Sequence, residues 1–155
     1  MEQISVLSAP FVAEGLLVAR PPDELADKAH EFVVACQSSR LVGCAGMAPT
    51  GSSLVVYNLC IAADWQGRGI GRHLVGLAAN IGREQGYHSL LALTRCGGDW
   101  FGKLGFSKVK DGETHDEWRT LFRPGRKSSL YRLGLVSEQS RDSGLSACLL
   151  KQTKE

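Results

Sequence analysis

The residues best placed to do chemistry are Gln66-Gly67-Arg68-Gly69-Ile70-Gly71, three glycines set between an apolar run and a helical repeat. Ahead of them, Leu54-Val55-Val56-Tyr57-Asn58-Leu59-Cys60-Ile61 is rich in β-branched and aromatic residues and reads as a buried strand. Behind them, Ile70, Leu74, Leu77, Ala78 and Ile81 recur at helical spacing, with Arg72, Arg83 and Glu84 facing away. Strand, glycine turn, helix is an arrangement that binds phosphate. The first helical turn has N–H groups without internal partners, the peptide dipoles add partial positive charge, and glycine lets an anion reach the backbone. Arg68 and Arg72 supply side-chain charge beside it. A dinucleotide fingerprint is excluded, because its third glycine falls on Arg72 counted from Gly67 and on Leu74 counted from Gly69. A Walker loop is excluded too, since no Gly-Lys-Ser/Thr follows. The bland alternative is a turn that packs a helix on a strand.

Other elements must hold this turn in place. Ile4, Leu7, Phe11 and Val12 predict a helix over residues 2–15, kinked or shortened by Pro10. A connector, 16–20, leads to a short helix that starts at Pro21-Pro22-Asp23-Glu24 and ends near His30. Residues 31–37 and 41–47 read as a hairpin turned at Ser38-Ser39-Arg40, and Pro49–Ser53 as the turn into the central strand. After the long helix, Gly86 is its C-cap and 89–94 a buried strand. Gly97-Gly98-Asp99 opens a short helix closed by Gly105, then come a strand at 106–110, a polar segment with Trp118 and Phe122, and a last strand at 128–136. No element is assigned to the tail, 137–155. Hairpins in front and a strand-helix-strand unit in the middle predict an α/β sheet of mixed direction.

At 155 residues, the chain suits one domain with a real core, and 43% hydrophobic and 22% charged residues are ordinary for a globular protein. A net charge of +2 argues against nucleic acid and against a membrane surface as partners. The five cysteines (Cys36, Cys44, Cys60, Cys96, Cys148) have neither Cys-x-x-Cys nor zinc spacing. Those in apolar strand-like segments read as reduced core residues, which with the lack of a signal peptide or membrane-length run predicts a cytoplasmic protein without a metal. His73 and His88 read as structural or surface residues.

Gln66-x-x-Gly69-x-Gly71 resembles the pyrophosphate-binding signature of the GNAT superfamily of acetyl-CoA-dependent N-acetyltransferases. Asp64-Trp65 sits where that superfamily has Pro-Asp-Tyr, and Trp100-Phe101-Gly102-Lys103-Leu104-Gly105-Phe106 is similar to its later helix-turn-strand signature. The resemblance implies a GNAT fold over residues 1–136: a mixed, mostly antiparallel, splayed sheet flanked by helices. Acetyl-CoA, as co-substrate, would enter where the fourth and fifth strands part. Gln66 through Arg72 would hold its pyrophosphate, and the backbone at Leu59, Cys60 and Ile61 the reacting carbonyl. One departure is that such domains open with a strand, whereas this chain starts inside the first helix, so the first strand is missing and an edge is left to cover.

Within the superfamily, Glu14–Arg20, Glu31–Val34, Leu41–Ala45, Leu93-Thr94 through Trp100-Phe101 and Arg126-Lys127-Ser128 resemble the N-acetylglutamate synthases. The similarity covers residues 8–135 and only the acetyltransferase half of the larger members, which implies the short, stand-alone type. It implies acetyl transfer to the α-amine of glutamate, in arginine biosynthesis, by an enzyme compatible with a homodimer. Arg20, Arg126 and Ser128 fall at positions that hold substrate carboxylates, with Arg95 and Lys127 as nearby alternatives. Thr94 stands where some synthases have the hydroxyl that protonates the thiolate; a β-branched strand residue is its plainer reading. Three departures accompany the match. Val55 stands in place of a glutamate base, Ala19 in place of an arginine, and Phe101 where many GNAT enzymes use a tyrosine acid. Tyr57, on the same strand face as Val55, is then the candidate for a proton relay. A GNAT enzyme for another amine or a protein N-terminus, and a degenerate acetyl-CoA-binding domain, are the alternative readings.

Overall fold

The computed structural model describes residues 1–135. The order of elements is α1 (Glu2–Ala13), α2 (Pro22–Asp27), β1 (Phe32–Gln37), β2 (Arg40–Thr50), β3 (Ser53–Ile61), α3 (Ile70–Glu84), β4 (Ser89–Thr94), α4 (Gly98–Lys103), β5 (Ser107–Lys108), α5 (Asp116–Arg119) and β6 (Ser129–Gly134). The six strands form one sheet in the order β1-β2-β3-β4-β6-β5, with β3 and β4 parallel and every other pair antiparallel. The expected mixed, mostly antiparallel architecture is therefore present. Among the described residues no strand precedes α1, and β1 is the edge on that side, paired with β2 alone. The tail assigned to 137–155 lies outside the described residues.

The sheet carries helices on both faces. Leu74, Val75, Ala78 and Ala79 of α3 pack on Leu54, Val56, Leu90 and Ala92, with Phe101 and Phe106 closing the end of that core. Ile4 of α1 and Leu25 of α2 cover Cys44 and Cys60 on the opposite face. Gly86, at φ +79, ends α3 as expected: the Tyr87 N–H donates to Gly82 O at 2.9 Å and the Gly86 N–H to Arg83 O at 3.1 Å.

Two features open the middle of this sheet. The first is where pairing stops. β3 and β4 run in register from Ser53↔Ser89 to Val56↔Ala92, and beyond that point they part. The second is a bulge on β3, where Cys44↔Cys60 is followed by Gly46↔Tyr57, so β3 carries one residue more than β2. An extra residue inverts the alternation of side chains. Leu54 and Val56 face α3, and after the bulge Leu59 and Ile61 face it instead, while Cys60 turns beneath α1. Asn58 sits at φ +50 in the bulge, a left-handed conformation that Asn tolerates better than most residues. Its Nδ2 donates to Ser8 Oγ at 2.8 Å, and Ser8 Oγ donates in turn to Ile4 O at 2.7 Å, which fastens α1 to the bulge.

Several sequence expectations need correction. Helix α1 runs through Pro10 to Ala13; the one carbonyl that loses its donor belongs to Val6, which is exposed. Strand β2 continues through Pro49 to Thr50 rather than turning at Pro49. Past Gly46, β2 has no partner on its β1 side among the described residues, so a proline there need not remove a ladder bond. The strand expected at 106–110 is only Ser107–Lys108, held at the far edge by β6. In the polar segment, Trp118 is buried on Val55, Leu91 and Leu130. Of the cysteines, Cys44 and Cys60 are core residues, whereas Cys36 and Cys96 are exposed, Cys36 because it lies on the edge strand. Cys148 is outside the described residues.

Asn58→Ala removes a buried hydrogen bond and puts a Cβ-bearing residue without αL preference at positive φ. It should lower the unfolding free energy by about 1–3 kcal/mol in urea titration. An unchanged midpoint would show that the bulge does not depend on this side chain.

Candidate functional site

The glycine turn is an open cradle of backbone N–H groups. Gly67 and Gly69 have φ of +74 and +79, values that side-chain-bearing residues rarely adopt. Gly69 is the N-cap of α3, and the His73 N–H donates to Gly69 O at 3.1 Å, closing the first turn of the helix. The N–H groups of Ile70, Gly71 and Arg72, one turn earlier, therefore lack helical acceptors. A Cβ on Gly71 would stand 3.1 Å from Trp100 Cζ2, so this glycine keeps the turn and the ring together. Side chains brace the approach. Arg40 grips Asp64 with two bonds of 2.8 and 3.0 Å, Gln66 Nε2 donates to Ile61 O at 3.1 Å, and Arg68 stacks on Trp65 at 4.4 Å.

From this cradle a groove follows the gap between β3 and β4. A hollow of about 460 Å³ is lined by Leu59, Cys60, Ile61, Gln66, Gly67, Gly69 and Gly71, among others. It shares Phe11, Leu59 and Trp100 with a second hollow of about 270 Å³ between the parted strands, which Thr94, Arg95 and Cys96 border. That hollow in turn shares Leu16, Leu17, Val56, Tyr57, Asn58 and Leu93 with a third, of about 300 Å³. Past Val56, the edge of β3 that faces the gap has no strand beside it among the described residues. Burial at this edge leaves backbone polar groups to be met by a ligand or by water.

The third hollow is cationic. Arg20, Lys28, Arg123 and Arg126 line it, together with Ser128 and Thr120, and no carboxylate is among its lining residues. Glu24, at its rim, takes a bond from Arg20 at 2.7 Å and a longer one of 3.4 Å from Lys28. Arg20 is the main cause that holds the Glu24 carboxyl below its ordinary range. Arg126 NH2 donates to Leu16 O at 2.8 Å and Arg95 NH1 to Gly15 O at 3.1 Å, so the α1–α2 connector is fastened across the groove from two sides. Tyr57 stands where the second and third hollows meet. Its hydroxyl donates to Glu31 Oε2 at 2.5 Å, and burial followed by Glu31 pushes its phenol up from the usual value.

The residues singled out in sequence are thus distributed along one groove. Leu59–Ile61, Gln66, Gly67, Gly69, Ile70, Gly71 and Arg72 line its first part, Thr94 its middle, and Arg20, Tyr57, Arg126 and Ser128 its cationic end. Arg68 is beside the cradle, turned onto Trp65 and Asp64 O. Thr94 Oγ1 accepts the Gly97 N–H at 2.8 Å, which leaves its own proton to donate. Of the alternatives, Arg95 borders the middle hollow, and Lys127 lines none of the three. Val55 lines the cationic end but is packed on Trp118 and Leu91. Sequence reasoning missed Lys28 and Arg123. Arg123 had a signal, the basic run Arg123-Pro124-Gly125-Arg126-Lys127 between apolar segments, but Lys28 in a short polar helix had none. Among the described residues no group of three His, Cys, Asp or Glu could hold a metal ion, and no helix is long and apolar enough to cross a membrane.

Comparison with known proteins bears on the family and the fold. The family described as an acetyltransferase (GNAT) domain matches residues 28–108. An amino-acid acetyltransferase of Vibrio cholerae is 24% identical over 131 residues, 83% of this chain and 29% of the relative. The structure of N-acetylglutamate synthase from Neisseria gonorrhoeae, complexed with coenzyme A and N-acetyl-glutamate, superposes with a TM-score of 0.82 at 25% identity, over 88% of this chain and 33% of that one. A Mycobacterium tuberculosis protein solved in complex with CoA and NLQ gives 0.73 at 19% identity, over 86% and 92%, a likeness of fold. The chain spans about a third of the length of the first two.

Proposed function

This chain belongs to the GNAT acetyltransferase family, and from that premise we propose that it moves an acetyl group from acetyl-CoA to the α-amine of an amino acid, with L-glutamate preferred. The observation that carries the reading is the run of three adjoining hollows with shared walls: a glycine cradle at one end, a strand edge without a partner among the described residues in the middle, and four cations at the other. The cradle's glycines and free helix amides suit the pyrophosphate of CoA. A dicarboxylate needs more than one cation, and arginine forks match carboxylates bidentately. Arg20, and Arg126 with Ser128, are assigned to the acceptor's two carboxylates. A polyamine would meet Lys28, Arg20, Arg123 and Arg126 as like charges, which disfavours that alternative.

Bound acetyl-CoA supplies an activated thioester carbonyl. The protein then has three tasks. Backbone N–H groups of the Leu59–Ile61 edge stabilise the oxyanion that forms when the amine attacks. Thr94, whose Oγ1 is held by the Gly97 N–H, donates its proton toward the departing thiolate. The amine must arrive neutral, and with Val55 packed among apolar side chains it loses its proton to water; the α-amine of a free amino acid titrates above the peptide reference of about 8, so the rate should climb with pH toward that value. The same reading puts the protein in arginine biosynthesis in the cytoplasm.

Gly71→Asp would set a carboxylate where the pyrophosphate lies and press on Trp100. Calorimetric titration should show CoA affinity lowered at least about tenfold, since an unfavourable charge contact of this kind is worth ~1.4 kcal/mol or more. Unchanged affinity in a folded variant would remove the cradle from the account. A free-thiol assay with acetyl-CoA against a panel of amino acids and polyamines tests the acceptor. Glutamate should be used best, and Arg126→Ala should raise its KM roughly ten- to hundredfold while the KM for acetyl-CoA barely moves. Faster turnover with a polyamine than with any acidic amino acid would refute the assignment.

A further inference from the structure

Tyr57 is enclosed by an arrangement that a catalytic hydroxyl does not require. Its ring lies over Gly46, its partner across β2, and an ideal Cβ on that glycine would stand only 2.5–2.8 Å from ring atoms Cζ, Cε2 and Cε1. Only glycine leaves room for the ring to lie flat there. Phe32 meets the ring edge-on, with centroids 5.4 Å apart and planes at 78°. The hydroxyl is taken by Glu31, from the turn that precedes β1. Over the ring stands the Arg20 guanidinium, its Cζ 4.6 Å from the centroid, while Glu24 holds Arg20 NH1. Lys28 Nζ is also near, at 5.9 Å from the same centroid.

We infer that Tyr57, pinned by Glu31 and seated on Gly46, is a positioning residue: a platform that presents Arg20 to a carboxylate of the acceptor. The inference rests on the reading of the cationic hollow as the acceptor site. A guanidinium stacked on an aromatic face keeps its in-plane donors free, so the stack fixes its orientation without consuming hydrogen bonds. Here NH1 is committed to Glu24, and Nε and NH2 have no partner among the described residues. Arg20 alone is a long, rotamer-rich side chain. Three restraints from three elements (Glu24 of α2, Tyr57 of β3 and, through Tyr57, Glu31) remove that freedom before the acceptor arrives. The phenol is held protonated by burial and by Glu31, which keeps the Tyr57–Glu31 bond donor-to-acceptor throughout. Gly46, Tyr57 and Glu31 thereby become determinants of acceptor specificity, although neither Gly46 nor Glu31 lines the groove.

The test uses Tyr57→Leu, which deletes the platform, Tyr57→Phe, which deletes only its pin, and Glu31→Gln, which keeps an acceptor oxygen for the pin. The glutamate KM should rise on the order of 3- to 30-fold in Tyr57→Leu, less in Tyr57→Phe and least in Glu31→Gln, with the KM for acetyl-CoA unmoved. A second readout does not depend on which acceptor is used. In the NMR spectrum of the ¹⁵N-labelled protein, the Arg20 Nε–Hε resonance should carry an upfield ring-current shift that Tyr57→Leu abolishes. If glutamate proves not to be the acceptor, the ring-current result still decides whether the platform exists, and the same KM comparison is made with the acceptor that the panel identifies. An Arg20 resonance identical in wild type and Tyr57→Leu overturns the inference. So does a glutamate KM that Arg126→Ala raises and Tyr57→Leu leaves alone. A fall in kcat alone in Tyr57→Phe, at fixed glutamate KM, overturns it as well, because that pattern belongs to a proton relay.

Discussion

Pairing between β3 and β4 lasts for four residues and then stops, and the rest of the molecule is arranged around that interruption. An interior strand that loses its neighbour exposes backbone donors and acceptors in a place where water is scarce, which is costly unless something else meets them. The protein does not close the gap. The bulge at Asn58 turns Leu59 and Ile61 toward α3 and Cys60 toward α1, so each face of the parted strand is still covered by apolar contacts. Helix α1 is held to the bulge through Ser8, and the connector that follows is tied over the groove by Arg95 and Arg126. What is left is a channel whose walls are tied together by hydrogen bonds and whose strand edge is open.

Charge is distributed unevenly along that channel. Partial charges of backbone amides dominate at the α3 end, where the glycines keep side chains away, and full cationic charges dominate at the other end. Near-neutral net charge overall shows that this is local placement rather than bulk basicity. Glu24 and Glu31 are spent on orienting Arg20 and Tyr57, so they shape the cationic end more than they neutralise it.

Much of this was legible in the sequence, for identifiable reasons. The strand at 53–61, the glycine turn and α3 combine a strong periodicity with residues whose backbone freedom is needed there, and their boundaries fell within a residue or two of the structure. The hairpin at Ser38-Ser39 and the C-cap at Gly86 were equally readable. The bulge was not, because Asn58 inside an apolar run does not reveal which face its neighbours take. Pro49 misled because its missing N–H matters only where a partner strand exists, and that depends on where β1 ends. Cys36 is exposed for a similar reason: burial depends on which elements cover a segment, and β1 is an edge strand. At the site, arginines near a recognised motif could be proposed, but Lys28 reaches the cationic hollow, and Glu31 and Gly46 reach Tyr57, only through tertiary packing.

The central claim is that one groove, running through the parted strands, receives both the acetyl donor and the acceptor. It competes with a concrete alternative, the wider hollow of about 830 Å³ between α1 and the Arg40–Asp64 pair. An amide ¹H–¹⁵N titration of the protein, first with CoA and then with N-acetylglutamate added to the CoA complex, distinguishes the two. CoA should shift residues 59–61 and 69–72 together with Thr94 and Trp100, and N-acetylglutamate should then shift Arg20, Tyr57, Arg126 and Ser128. Shifts gathered instead on Gln3, Val6, Leu41 and Ala63, with the glycine turn and the cationic end unmoved, would contradict the account.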